Sequence, residues 1–251
     1  MEATDTLQAL LRWIHIVAGI VWIGLLYFFN FVNGPFAATM DGATKQKVVP
    51  ELMPRALYWF RWGAAWTWVT GVLLLMLVFW HGGLLFGPAG GSRALAVLMI
   101  AVTFLGAALY DVLAKSGWGK DIRLVGGVGW ALTVMVIMGY LAAGFGYRAY
   151  VIHTGALLGT TMAFNVWMRI WPAQRQIITA TKQGQAPDPA LVALAGARSR
   201  HNTYMSVPLV WTMINAHTTG FSNPGYLMLA IPLGWVAAYL IYNKAATVKG
   251  F

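Results

Sequence analysis

No cysteine occurs in the 251 residues. That absence excludes disulfides, thiolate-held metal sites and covalently attached c-type haem, which needs a C-x-x-C-H sequence. Acidic residues are also scarce, seven in all, and most fall between apolar runs, so no carboxylate pair presents itself for general acid and base work. The chain has no G-x-S-x-G, no H-E-x-x-H and no Walker A sequence, which removes the usual signs of hydrolysis and phosphoryl transfer. Paired Gly/Pro interruptions in corresponding halves, a mark of many transporters, are missing too, and Pro208 and Pro232 stand alone. No repeat, low-complexity tract or linker divides the sequence, so it reads as one integral unit over 1–251.

What is present is apolar. Hydrophobic residues make up 59% and charged ones only 10%, more apolar surface than one water-soluble core can hide. Crossing about 30 Å of hydrocarbon takes roughly 20 helical residues, and runs of that order lie near 9–33, 60–80, 94–115, 125–145, 149–171, 203–219 and 226–243. The expected fold is therefore all-α, a polytopic transmembrane bundle of about seven spans. The connections 34–59 and 172–202 are long enough to carry short surface helices. The N-terminus has no basic region leading to a small-residue cleavage site, so the first run reads as a retained span. A net charge of +10 suggests nucleic acid in a soluble domain; here the basic residues cluster in the connections, and nucleic acid is set aside. Seven spans put fourteen of the 17 Lys and Arg residues on one side and leave Arg12, Arg93 and Arg148 on the other. The positive-inside rule then places the N-terminus outside and the C-terminus in the cytoplasm.

That topology assigns a depth to each of the five histidines. His15 lies about two turns into the first span and His153 about one turn into the fifth. His81 and His217 end the second and sixth spans on the outer side, whereas His201 opens the sixth span on the inner side. Imidazoles from facing helices can hold a b-type haem without covalent attachment. Gly19, one turn after His15, and Gly155 and Gly159, near His153, leave room for a flat ring. His15, His153, His81 and His217 are accordingly the candidate haem ligands, with His15 and His153 the expected iron pair, and they suffice for one haem or two. His81 and His217 also suit ordinary interfacial positions, as do Trp13, Trp80, Trp118 and Trp171. Trp22, Trp66, Trp130 and Trp211 fall inside spans, where helix packing or a cofactor wall both fit.

A second polar group gathers toward the inner side: Asn30, Asn33, Arg61, Asp111, Asn165, Arg169, His201 and Asn202. Ionisable groups at such depth usually face a cavity or one another. Arg61, Arg169 and His201 suit a planar anion or a haem propionate, and Asn165 and Asn202 suit its hydrogen-bonding edge. A purely structural Asp111 pair and snorkelling arginines fit the same positions.

The stretch from Leu11 through Trp13, His15, Gly19, Trp22, Asn30, Asn33 and Pro35 to Phe36, with the stretch Ser199-Arg-His-Asn-Thr-Tyr-Met-Ser-Val-Pro-Leu-Val-Trp-Thr-Met-Ile-Asn-Ala-His217, resembles the membrane domain of the bacterial membrane-bound, cytochrome-c-linked urate oxidases. The first-span Trp-x-His also looks loosely like protoporphyrinogen-oxidase-like and copper-resistance-like membrane proteins. The urate oxidase resemblance implies a multi-pass protein of the bacterial inner membrane that oxidises urate to 5-hydroxyisourate. In that family a C-terminal cytochrome c domain commonly follows; without a cysteine here, the implied acceptor is a separate cytochrome c or another electron carrier, with quinone a further candidate. No catalytic residue is singled out. Two other expectations stand beside this one: a haem b anchor that relays electrons from a partner dehydrogenase, and a haem-free transporter or assembly factor.

Overall fold

A computed structural model describes residues 3–116, 119, 121–218, 220 and 222–248. Trp118, and Lys120 and Lys249 of the fourteen basic residues placed on one side, lie outside the described residues. The secondary structure is helical apart from one isolated bridge between Phe86 and Phe145. In chain order the helices are α1 (Ala3–Tyr27), α2 (Gly34–Thr39), α3 (Gly42–Leu74), α4 (Arg93–Lys115), α5 (Ile122–Ala142), α6 (Tyr147–Asn165), α7 (Trp171–Lys182), α8 (Pro189–Asn215) and α9 (Pro224–Ala245). Wider π-helical turns over Phe28–Asn33, Leu75–Trp80 and Val166–Ile170 join α1 to α2, extend α3, and join α6 to α7. The described residues thus form seven continuous helical rods.

Five rods are long and apolar enough to cross a membrane: Ala3–Thr39, Gly42–Trp80, Arg93–Lys115, Ile122–Ala142 and Pro224–Ala245. The other two, α6 with α7 and α8, are more polar, and α6 is the one most enclosed by its neighbours. Of the 19 residues of α6, His153, Thr154, Thr161, Asn165 and seven others besides Gly155 are buried, and it packs against α3, α4, α5 and α8. A helix shielded from lipid can carry polar groups that a lipid-facing helix cannot.

Side-chain bonds fix which helix ends meet. At one end, His15 of α1 reaches Thr70 of α3, and Tyr147 of α6 donates to the Asn215 carbonyl of α8. At the other, Asn30 donates to Ser199 and accepts from Tyr242 of α9, while Asp111 of α4 meets Arg198 of α8. These bonds set α1, α4, α6 and α9 running one way and α3 and α8 the other.

The two long connections carry the short helices α2 and α7, and the rest of each is largely helical too. Residues 42–59 are the first half of α3, and 189–202 open α8. At 1.5 Å per residue the 39-residue rod Gly42–Trp80 runs to roughly 60 Å, about twice the hydrocarbon thickness, so its charged first half projects beyond the apolar zone. Three of the seven acidic residues start these helices: Asp41, Asp121 and Asp188 accept the backbone N–H of Thr44, Arg123 and Ala190, each offsetting an orphan donor of a first turn. Thr44 also holds the exposed Asp41 carboxyl below the usual carboxylate range.

Candidate functional sites

Two ligand-sized cavities flank the enclosed helices. The first, of about 620 Å³, lies at the His15 end between α1, α3, α6 and α8. His15, Gly19, Gly71, Gly155, Gly159 and His217 all line it, with Arg12 and Arg148 its charged groups. Close approach favours glycine at two of these places: a Cβ at Gly71 would stand 3.0 Å from His15 Cε1, so that the ring would have to give by a few tenths of an ångström, and one at Gly155 would stand 2.3 Å from Thr212 Oγ1.

The proton on His15 follows from its partner. Thr70 Oγ1 donates to the Trp66 carbonyl at 2.6 Å, and a hydroxyl has only one proton to give. Toward His15 Nδ1, 3.2 Å away, it can only accept. Nδ1 therefore carries the proton, which leaves Nε2 its lone pair, the tautomer a metal needs. His217 sits exposed just beyond α8, on the same cavity.

His153 departs from its expected role. It is fully buried, is not among the residues lining the first cavity, and spends both nitrogens. Nδ1 donates to the Ala149 carbonyl at 2.7 Å, and Nε2 accepts from Trp80 Nε1 at 3.1 Å, amid the rings of Phe79, Tyr140 and Phe145. Trp80, expected in an interfacial belt, faces inward because the π turn at Leu75–Trp80 delivers it to this imidazole. The structure thus brings His15 together with His217 and keeps His153 apart from both. His81 is exposed at the end of that turn, its Nδ1 on the Met76 carbonyl at 3.0 Å, and lines neither cavity.

At the opposite end, Asp111 receives three cations. Arg169 forks onto both carboxylate oxygens at 2.9 and 2.6 Å, Arg198 donates to Oδ1 at 2.8 Å, and Lys115 reaches Oδ2 at 2.8 Å. Arg198, only 2% exposed, escaped the sequence reading because it sits in a polar segment expected at the membrane surface. The extension of α8 back to Pro189 carries it inside, and an Arg three residues before His201, on the same helix face, was the available signal.

From Arg198 a directed chain of hydrogen bonds leads inward. Arg198 can only donate, so Asn165 Oδ1 accepts it at 3.4 Å. Asn165 Nδ2 then donates to Asn202 Oδ1 at 2.8 Å and to the Tyr110 hydroxyl at 3.0 Å, and Asn202 Nδ2 donates to the Met162 carbonyl. Tyr110 stands 2.8 Å from His201 Nδ1. With no other acceptor for the phenol proton among the described residues, that proton goes to Nδ1, which leaves His201 with an Nε2–H. His201 lines the second cavity, about 810 Å³ between α4, α5, α6, α8 and α9.

Asn165, Asn202 and His201 are thus brought together, and Arg169 joins them through Asp111 and Arg198. Arg61 is not: its guanidinium stacks 4.0 Å over Trp171, near Trp167 and Tyr58, with its buried Nε unpartnered among the described residues. Nowhere among the described residues do three His, Asp or Glu side chains converge in a way that would hold a metal ion.

The fold and sites define an all-α bundle with apolar helices of membrane-crossing length, a buried polar network at one end and two cavities beside the enclosed helices. More narrowly, the chain belongs to the urate oxidase N-terminal family, whose profile matches residues 41–251. The match takes in His153, His201, His217 and the Asp111 cluster, while α1 with His15 precedes it. No curated protein and no solved structure matches the chain.

Proposed function

We propose that this protein is a multi-pass redox protein of the bacterial inner membrane that oxidises urate and passes the electrons to a separate cytochrome c, with a b-type haem in the first cavity. The balance is urate monoanion plus water giving neutral 5-hydroxyisourate, one proton and two electrons, the electrons leaving one at a time to two acceptor molecules. The observation that carries the reading is His15: a partly buried imidazole in a cavity of cofactor size, its Nδ1 proton on Thr70 and its Nε2 lone pair free.

The residues present fit the group. His15 would hold the iron, with His217 the second ligand the cavity offers, and the glycine surfaces of α1, α3 and α6 leave a flat ring its space. When bound there, the haem supplies one-electron acceptor chemistry. Thr70 fixes the His15 tautomer and ring plane. Arg12 and Arg148 give the cavity the positive charge that propionates or an anionic purine require. Asn165 and Asn202 are occupied by Arg198, Tyr110, the Met162 carbonyl and the bond between them, and Arg169 is committed to Asp111, so contact with urate is assigned to the Arg12 and Arg148 side instead of the inner cluster. The excess of Lys and Arg at the Asp111 end supports an outside N-terminus, which turns the first cavity toward the periplasmic acceptor.

The test is an absorption spectrum of detergent-purified protein, oxidised and dithionite-reduced, with a pyridine haemochrome assay, then urate added anaerobically in place of dithionite. A b-type spectrum that urate reduces, and that His15→Ala loses, is expected. Haem that urate leaves oxidised would make the protein a relay for a partner dehydrogenase, and protein without haem would overturn the reading.

A further inference from the structure

We infer that the second cavity is a binding site for a membrane quinone, whose ring carbonyl accepts the Nε2–H of His201. This inference does not depend on urate being the substrate. It starts from the polarity of the inner network. Arg198, anchored on Asp111, forces Asn165 to present its amide N–H to Tyr110, and Tyr110 to present its hydroxyl proton to His201 Nδ1. The imidazole is thereby held as a donor toward the cavity, the reverse of His15. With its lone pair facing Tyr110, it is the wrong tautomer for iron and the right one for a carbonyl oxygen.

The rest of the cavity selects among carbonyl compounds. Its walls are largely apolar, including Leu113, Val136, Leu157, Leu158, Ile231 and Trp235, with Arg123, Arg200, Tyr204 and Tyr239 also in the lining. The two threonines that line it spend their hydroxyl protons on their own helices, Thr133 on the Gly129 carbonyl and Thr161 on the Leu157 carbonyl. Arg123, Arg200 and His201 supply donors only, so the several N–H groups of a purine anion would find few acceptors in this lining. A quinone presents two acceptors and an otherwise apolar ring. Leu109, Met135 and Val236, which also line the cavity, are each more than half exposed on the outside of the bundle. The side wall therefore opens where lipid tails lie, which lets an isoprenoid chain leave sideways.

The experiment uses the full protein in nanodiscs of quinone-free lipid, with a short-chain ubiquinone analogue labelled with ¹³C at its carbonyls. Binding is followed by titration calorimetry and the carbonyl stretch by infrared difference spectroscopy. Wild type is expected to bind with one carbonyl band shifted to lower frequency. His201→Phe, which keeps a ring but no N–H, should abolish the shifted band and weaken binding roughly tenfold. Tyr110→Phe should diminish the shift by freeing the tautomer. Because changes in the network can disturb folding, Gly129→Leu serves as a second test: a side chain there meets open space and fills the cavity without touching the network, so binding should be lost with helicity intact. Equal binding and an unchanged carbonyl band in all variants would overturn the proposal, as would saturation of this cavity by urate in place of quinone. Loss of urate-dependent reduction with quinone binding intact would count against the urate reading alone.

Discussion

His15 and His201 stand at opposite ends of the same bundle, each beside a ligand-sized cavity, and present opposite faces of the same side chain. At the His15 end a threonine whose proton is already given to its own helix can only accept, so the ring offers a lone pair. At the His201 end a buried arginine imposes direction on two amides and a phenol, so the ring offers a proton. His153 lies between these cases, with Trp80 and Ala149 using both nitrogens, and offers nothing. Residue type and depth treat His15 and His153 alike and set His201 apart only by its end of the bundle; which face each ring offers is decided by the partner of the second nitrogen.

The comparison breaks most severely at Asp111. Asp111→Ala strips the countercharge from Arg198, which has no water to turn to, and breaking such a buried pair costs about 3–5 kcal/mol. The detergent-purified variant should melt well below wild type, whereas the same change at Asp41, exposed at the start of α3, should move the melting temperature little. A fall confined to Asp41 would mean that the inner network does not hold the bundle. Next in size is Thr70→Val, which removes the acceptor that orders His15 while preserving shape. Supporting partners of metal-bound histidines are worth about 10–100-fold in affinity, so a haem titration should show a weakening of that order, and an unchanged affinity would separate Thr70 from the tautomer. Trp80→Phe tests the third histidine. Losing one buried hydrogen bond should lower stability by about 1 kcal/mol and leave the haem spectrum as it was; loss of haem there would return His153 to the ligand role.

Much of this was legible before the structure. The seven apolar runs mark seven rods, the basic residues collect at one end, and Gly19, Gly155 and Gly159 do line the cavity beside His15. Depth was readable because hydropathy reports distance along a helix axis. Rotation about the axis was not, because a helix buried on all sides, such as α6, has no apolar stripe to point with. That is why His153 could be placed near His15 in depth yet turns toward α5 and Trp80. The same limit hid Arg198, since a polar stretch before a span reads as surface until tertiary contacts carry it inside. Arg61 was grouped with His201 by depth alone, and its stacking on Trp171 belongs to the α3–α7 contact.

The gentlest way to sharpen the contrast is a single methyl. A Cβ at Gly71 would lie 3.0 Å from His15 Cε1, while one at Gly19, on the same cavity, would meet nothing closer than the Thr67 side chain at 3.8 Å. Gly71→Ala therefore asks the imidazole to give by a few tenths of an ångström without removing any partner, and Gly19→Ala asks nothing of it. If His15 holds the iron, Gly71→Ala should keep its haem but shift the Soret band and the reduction midpoint, because a tilted ring alters the iron bond while Thr70 still fixes the tautomer. Gly19→Ala should reproduce the wild-type spectrum. Identical spectra for both variants would mean that the ring beside Gly71 is not attached to the iron, and the ligand role would pass from His15 to His217.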